Sequence, residues 1–89
     1  MEGHSHISPE VLARYAADAA AEVKGVQTKQ RRGAKVTGSE VEVHVAVDYG
    51  ANIPSVAADV QRRVSDYLAQ MADARPSAVH VVVDDVQRR

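Results

Sequence analysis

The sequence predicts an α+β fold: a two-layer sandwich, order α-β-β-α-β, in which a small mixed three-stranded sheet carries two helices on one face. Three observations predict it. In EVEVHVAVD, residues 40–48, Val41, Val43, Val45 and Val47 alternate with Glu40, Glu42, His44, Ala46 and Asp48, the period of a strand with one dry face and one wet face. Two stretches, about 9–24 and 54–72, repeat apolar residues at helical spacing. A second valine run, AVHVVVD at 78–84, follows the second of them. A strand–helix–strand crossover is right-handed and places strands 40–48 and 78–84 parallel.

Each element has its own signals. Ser8 followed by Pro9 is a helix start, because Ser accepts from orphan N–H groups and Pro fits the first helical turn. Val11, Leu12, Tyr15, Ala16, Ala19, Ala20 and Val23 form its apolar stripe, and Gly25 is a natural C-terminal cap. Residues 24–39 hold Lys24, Lys29, Arg31, Arg32 and Lys35 and no acid, with a short strand expected over 34–37 and a turn at Gly38-Ser39. The second helix carries Val56, Ala57, Val60, Val64, Tyr67, Leu68 and Met71. It cannot pass Arg75, because the residue before a proline avoids the helical region. In the last strand Val79, Val81 and Val83 share one face and His80, Val82 and Asp84 the other; the polar tail from Asp85 is expected to fray. Residues 1–7 lack any period and read as a flexible start, which leaves one domain over 8–86 and a frayed 87–89.

Composition narrows the function classes. With 89 residues and an apolar complement of mostly Val and Ala, without Phe or Trp, the core must be thin. A chain of this size buries only about 60–65% of its unfolded surface, so oligomerisation or a partner would help it. The net charge of -1 gives no global bias, and the lack of Cys removes disulfides, thiolate metal sites and cysteine nucleophiles. MEGHSHIS has no basic region followed by an apolar run, so no signal peptide is expected. No apolar stretch approaches the roughly 18 residues that a spanning helix needs.

The corner DYGANIPSV, residues 48–56, lies where a phosphate loop would sit in other folds. It has one Gly, and Pro54 removes an N–H from the helix start, so it reads as a structural corner. Gly50 relieves the backbone, Asn52 caps, Ile53 is expected to staple against Ala57, and Pro54 opens the helix. The same residues carry a resemblance. Ser8, Glu10, Val11 and Leu12 at the first helix start, Glu22, Val23, Gly25 and Val26 at its end, and Tyr49, Gly50, Asn52, Ile53 and Pro54 at the corner resemble the alkaline shock protein 23 family of bacteria. The resemblance covers about residues 7 to 86; the basic TKQRRGAK departs from the acidic or Gly-rich turn that relatives often have there. It implies a small, non-enzymatic cytoplasmic protein of the cell-envelope stress response. Some proteins similar to it are held near the membrane by a membrane-anchored partner. The family offers no agreed catalytic residues to carry over.

The remaining constellations read as surface. His4 and His6 would bind a metal only as any His-x-His does. His44 and His80 share the wet face with Glu42 and Asp84, which would suit a two-His, one-carboxylate site, but solvated surface histidine is the expectation and no metal or cofactor is assigned. Glu40, Glu42, Asp84 and Asp85 lie on predicted wet surface, and no serine sits in a nucleophile elbow, so no catalytic residue is assigned. The features the fold does not need are Lys29, Arg31, Arg32 and Lys35 in the basic loop and Glu40, Glu42, His44 and His80 on the wet sheet face. Together they are expected to bind a protein partner. A homo-oligomer is a further reading, motivated by the thin core and by the edges a small sheet exposes. The alternative is a KH-like nucleic-acid-binding module using the basic loop 24–35. Against it, the GxxG clamp is absent and no aromatic residue lies on the sheet to stack a base.

Overall fold

The computed structural model describes residues 7–27 and 33–88. The elements follow in the expected order: α1 (Pro9–Ala21), β1 (Ala34–Thr37), β2 (Glu40–Asp48), α2 (Ile53–Ala72) and β3 (Ala78–Gln87). The sheet order is β1-β2-β3, with β1 antiparallel and β3 parallel to β2. The expected flexible start at 1–7 lies outside the described residues except for its last position.

Both helices lie on the valine face. Val41, Val43, Val45 and Val47 from β2 meet Ala16, Ala19 and Ala20 of α1 and Val56, Val60, Val64 and Leu68 of α2 in one core. Ala16 and Ala19 are fully buried, and their small side chains let α1 lie close to its neighbours. The Tyr15 and Tyr67 rings meet edge-on at 6.0 Å, joining the two helices. Arg63 of α2 pairs with Glu22 at the end of α1.

The Ser8 side chain accepts from the Val11 N–H, as expected of an N-cap. The helix ends at Ala21, however, three residues before the expected 24. The early exit delivers Val26 to the edge of β2, where it forms an antiparallel bridge with Val47. The turn is made at Gly25, whose φ is +99°. A Cβ there would lie 2.9 Å from Val56 Cγ2, so the position needs glycine for conformation and for space.

β3 runs to Gln87 rather than stopping at Asp84 and fraying. A register shift opposite Val45 and Ala46 explains the difference: Val45 pairs with Val83, Ala46 with Asp85, and Asp84 is the extra residue. The bulge absorbs one residue and returns Val86 to a position beside Val47. The Tyr49 N–H then closes the end by donating to the Gln87 carbonyl at 2.8 Å.

The corner is built as a corner. Gly50 has a φ of +88°, and Asn52 caps α2 by accepting from the Ser55 N–H at 3.1 Å. Two expectations fail here. Ile53 is itself the first helical residue and 39% exposed, so it does not staple against Ala57. Met71, expected in the apolar stripe, is 52% exposed and stands outside the core that Leu68 closes.

Candidate functional site

β strands alternate side chains across the sheet, so the residues between the buried valines collect on the face opposite the helices. Register sorts them into rows. Thr37, Glu40 and Ala78 form one row across the three strands, and Lys35, Glu42 and His80 the next. His44 beside Val82 and Ala46 beside Asp85 follow. Glu42, His44 and His80, expected to share a face, are therefore brought together, and Lys35, expected with the basic loop, joins them from β1. Lys29, Arg31 and Arg32 lie outside the described residues.

Hydrogen bonds tie the rows together. The His44 Nε2 is 2.6 Å from Glu42 Oε2, and its Nδ1 is 3.1 Å from Asp84 Oδ2. His44 thus bridges its own strand to the bulge of β3. Hydrogen bonds to Glu42 and then Asp84 raise its pKa above the ordinary 6.5, against a smaller lowering by burial. His80 Nε2 lies 3.3 Å from Glu40 Oε1. The two histidines pair with separate carboxylates, and among the described residues no group of three or more His, Asp or Glu is arranged to hold a metal ion.

The base of the basic loop is fixed by this same strand. The Gln27 N–H donates to the Ala46 carbonyl at 2.7 Å, and the His44 N–H donates to the Gly33 carbonyl at 3.0 Å. The chain therefore leaves and re-enters the sheet beside His44 and Ala46. Gln27 also bonds the Asp48 carboxylate through its side chain. Ala46, expected on the wet face, is 1% exposed. It is a small side chain between His44 and Asp48, with Gln27 alongside, and its larger neighbours shield it.

Sequence reasoning missed two contacts of this face and one at the end of the sheet. Gln27 stands in a stretch without a period, so nothing marked it. Asp84 was placed on the face, but its bond to His44 depends on the bulge. Arg88, assigned to a frayed tail, stacks over the Tyr49 ring at 4.5 Å. Tyr49, 64% exposed, and Val86, 45% exposed, lie with Ile53 at the end of the sandwich where β2, β3 and α2 meet.

Among the described residues, no helix is long and apolar enough to cross a membrane. No curated protein matches the chain. Among solved structures it is similar to a histidine-to-alanine variant of the MamM CTD, with a TM-score of 0.52 and 21% identity over 92% of this chain and 99% of that one. It is also similar to a methionine-to-leucine variant of the same domain, with a TM-score of 0.51 and 19% identity over 90% of this chain and 96% of that one. At such identity the likeness is one of fold. A family model matches residues 29–88, a span that holds the YGANIP corner and all three strands but not α1. That match covers more than half of the sequence, and the chain belongs to the alkaline shock protein 23 family, a family of cell envelope-related function.

Proposed function

We propose that the chain is a non-enzymatic interaction protein that serves the envelope by presenting its polar sheet face to a protein partner. The observation that carries this reading is that both helices pack on the valine face, which leaves the row Lys35–Glu42–His80 and the hydrogen-bonded set Glu42–His44–Asp84 on the face without helices. Charged groups fixed by strand register make a patterned surface, and such patterns give specificity and orientation to docking. The core supports the reading too: it holds no polar or charged side chain among the described residues, and the ionisable groups of this face stand at the surface.

The finer content follows the family resemblance: a role in envelope stress, a cytoplasmic location, and a partner that is itself membrane-anchored. Lys29, Arg31 and Arg32 follow in the chain between Gln27 and Gly33, which β2 anchors next to Ala46 and His44, and we assign them to the same partner. A nucleic-acid partner is the weaker reading, because Glu40, Glu42 and Asp84 would repel phosphates on this face.

Site-specific photocrosslinking in cells tests the proposal. A photoreactive residue at Thr37, on the polar face, should give a discrete adduct with one protein, and Glu42→Lys should remove it. The same residue at Arg62, on the outside of α2, serves as the control. Adducts of equal yield and identity from both positions, or none from Thr37, would overturn the assignment of this face.

A further inference from the structure

β3 is ten residues long and forms one edge of the sheet; among the described residues no strand pairs with its outer side. A free edge offers a row of backbone donors and acceptors to another chain, and natural proteins usually blunt it with charge, proline or bulges. β3 carries such devices only towards its end, in Asp84, Asp85 and the bulge at Asp84. Its first six residues, AVHVVV, have no proline, bulge or permanent charge.

Three features of this segment specify what fits it. Val79, Val81 and Val83 are identical and symmetric about Val81. An antiparallel copy with Val81 opposite Val81 therefore sets Val79 opposite Val83 and matches apolar side chains throughout. These three valines pack against the core but are only partly buried, so the apolar face continues outward to the edge. In the same register His80 lies opposite Val82 of the second copy and diagonal to its Asp84, a distance that long side chains span.

We propose that β3 pairs antiparallel with β3 of a second copy about a twofold axis at Val81. The product is a continuous six-stranded sheet with all four helices on one face and the two polar faces side by side. Such an interface is self-complementary and closes at two subunits. It uses the edge of the sheet, so its failure would leave the partner-binding reading of the polar face standing, and the reverse holds too.

The chain has no cysteine, which makes crosslinking clean. Val81→Cys in the full chain should form an intermolecular disulfide under mild oxidation, because directly opposite residues place their Cα atoms about 4.5–5.5 Å apart, within the span that a disulfide bridges. Val79→Cys alone should crosslink poorly, but a mixture of Val79→Cys and Val83→Cys should crosslink well. Sedimentation of the unmodified chain should show a dimer that dissociates on dilution. His80→Glu, which sets carboxylates diagonal to Asp84 of the second copy, should weaken association at least about tenfold, an estimate from the cost of juxtaposed like charges. Thr37→Glu on the other edge should leave the mass unchanged. A strict monomer at high concentration would overturn the proposal. So would a dimer in which Thr37→Cys crosslinks and Val81→Cys does not.

Discussion

Protonated His44 donates to two carboxylates, Glu42 and Asp84, and these hold its pKa above the ordinary 6.5. The folded state thus favours the charged ring more than the unfolded state does. That contribution is fully present below the unfolded value near 6.5 and is lost as pH rises through the raised folded value. Denaturant midpoints measured across this window should therefore fall with rising pH, and His44→Gln should flatten that part of the profile. A slope that survives in His44→Gln would assign it to another group. Gly25 supports a second prediction. Gly25→Ala meets both a φ of +99° and the Val56 methyl at 2.9 Å, whereas Gly38→Ala and Gly50→Ala meet a positive φ with open space around it. The first should cost about 1–3 kcal/mol in urea unfolding, from backbone strain alone before the clash is added. The other two should cost less, and the difference measures the contact with Val56.

α2 gains its place from one cap and one stripe. Asn52→Ala removes the acceptor for the Ser55 N–H and should lower stability by about 1 kcal/mol. Leu68 is the largest of the fully buried side chains, and Leu68→Ala should cost about 2–5 kcal/mol. A cleft of about 230 Å³ beside it, lined by Leu12, Val36, Val41 and Pro76, offers space into which the truncated site can open. Periodicity made β2, the first six residues of β3 and both helices legible, because each is a contiguous run with one repeating rule. It failed where the rule is broken and then restored. Asp84 and Asp85 interrupt the alternation of β3, and no local signal says that a bulge will put Val86 back beside Val47. Val26 is a lone valine among polar residues, so its bridge to Val47 was invisible without the strand it joins. Part of the candidate site follows from strand parity alone: Glu42, His44 and His80 share a face because their positions alternate with the valines, whereas Lys35 reaches that face through the pairing of β1 with β2. The links between them depend on register, which the sequence does not print.

As a whole, the molecule rests on a core of Val, Ala and one fully buried Leu. Such small side chains each remove little surface from water, so a small loss or gain of burial matters. If two copies pair through β3, the apparent stability should depend on protein concentration, since association stabilises the folded state by mass action. Thermal midpoints should then rise with concentration in the unmodified chain, and His80→Glu should need a higher concentration for the same rise. The family and the architecture could be read from the corner motif and the alternating valines. A partner cannot be read that way, because a polar face is patterned by what it meets as much as by the sheet beneath it. The anchoring of Gln27 at Ala46 and of Gly33 at His44 has a practical consequence. The two ends of the intervening segment are held by β2 whatever lies between them. Lengthening a closed loop is cheap, with each doubling costing only about 0.6 kcal/mol. An epitope or a fluorophore-binding peptide spliced in there should leave the sandwich folded, giving a reporter handle whose two ends are held next to Ala46 and His44.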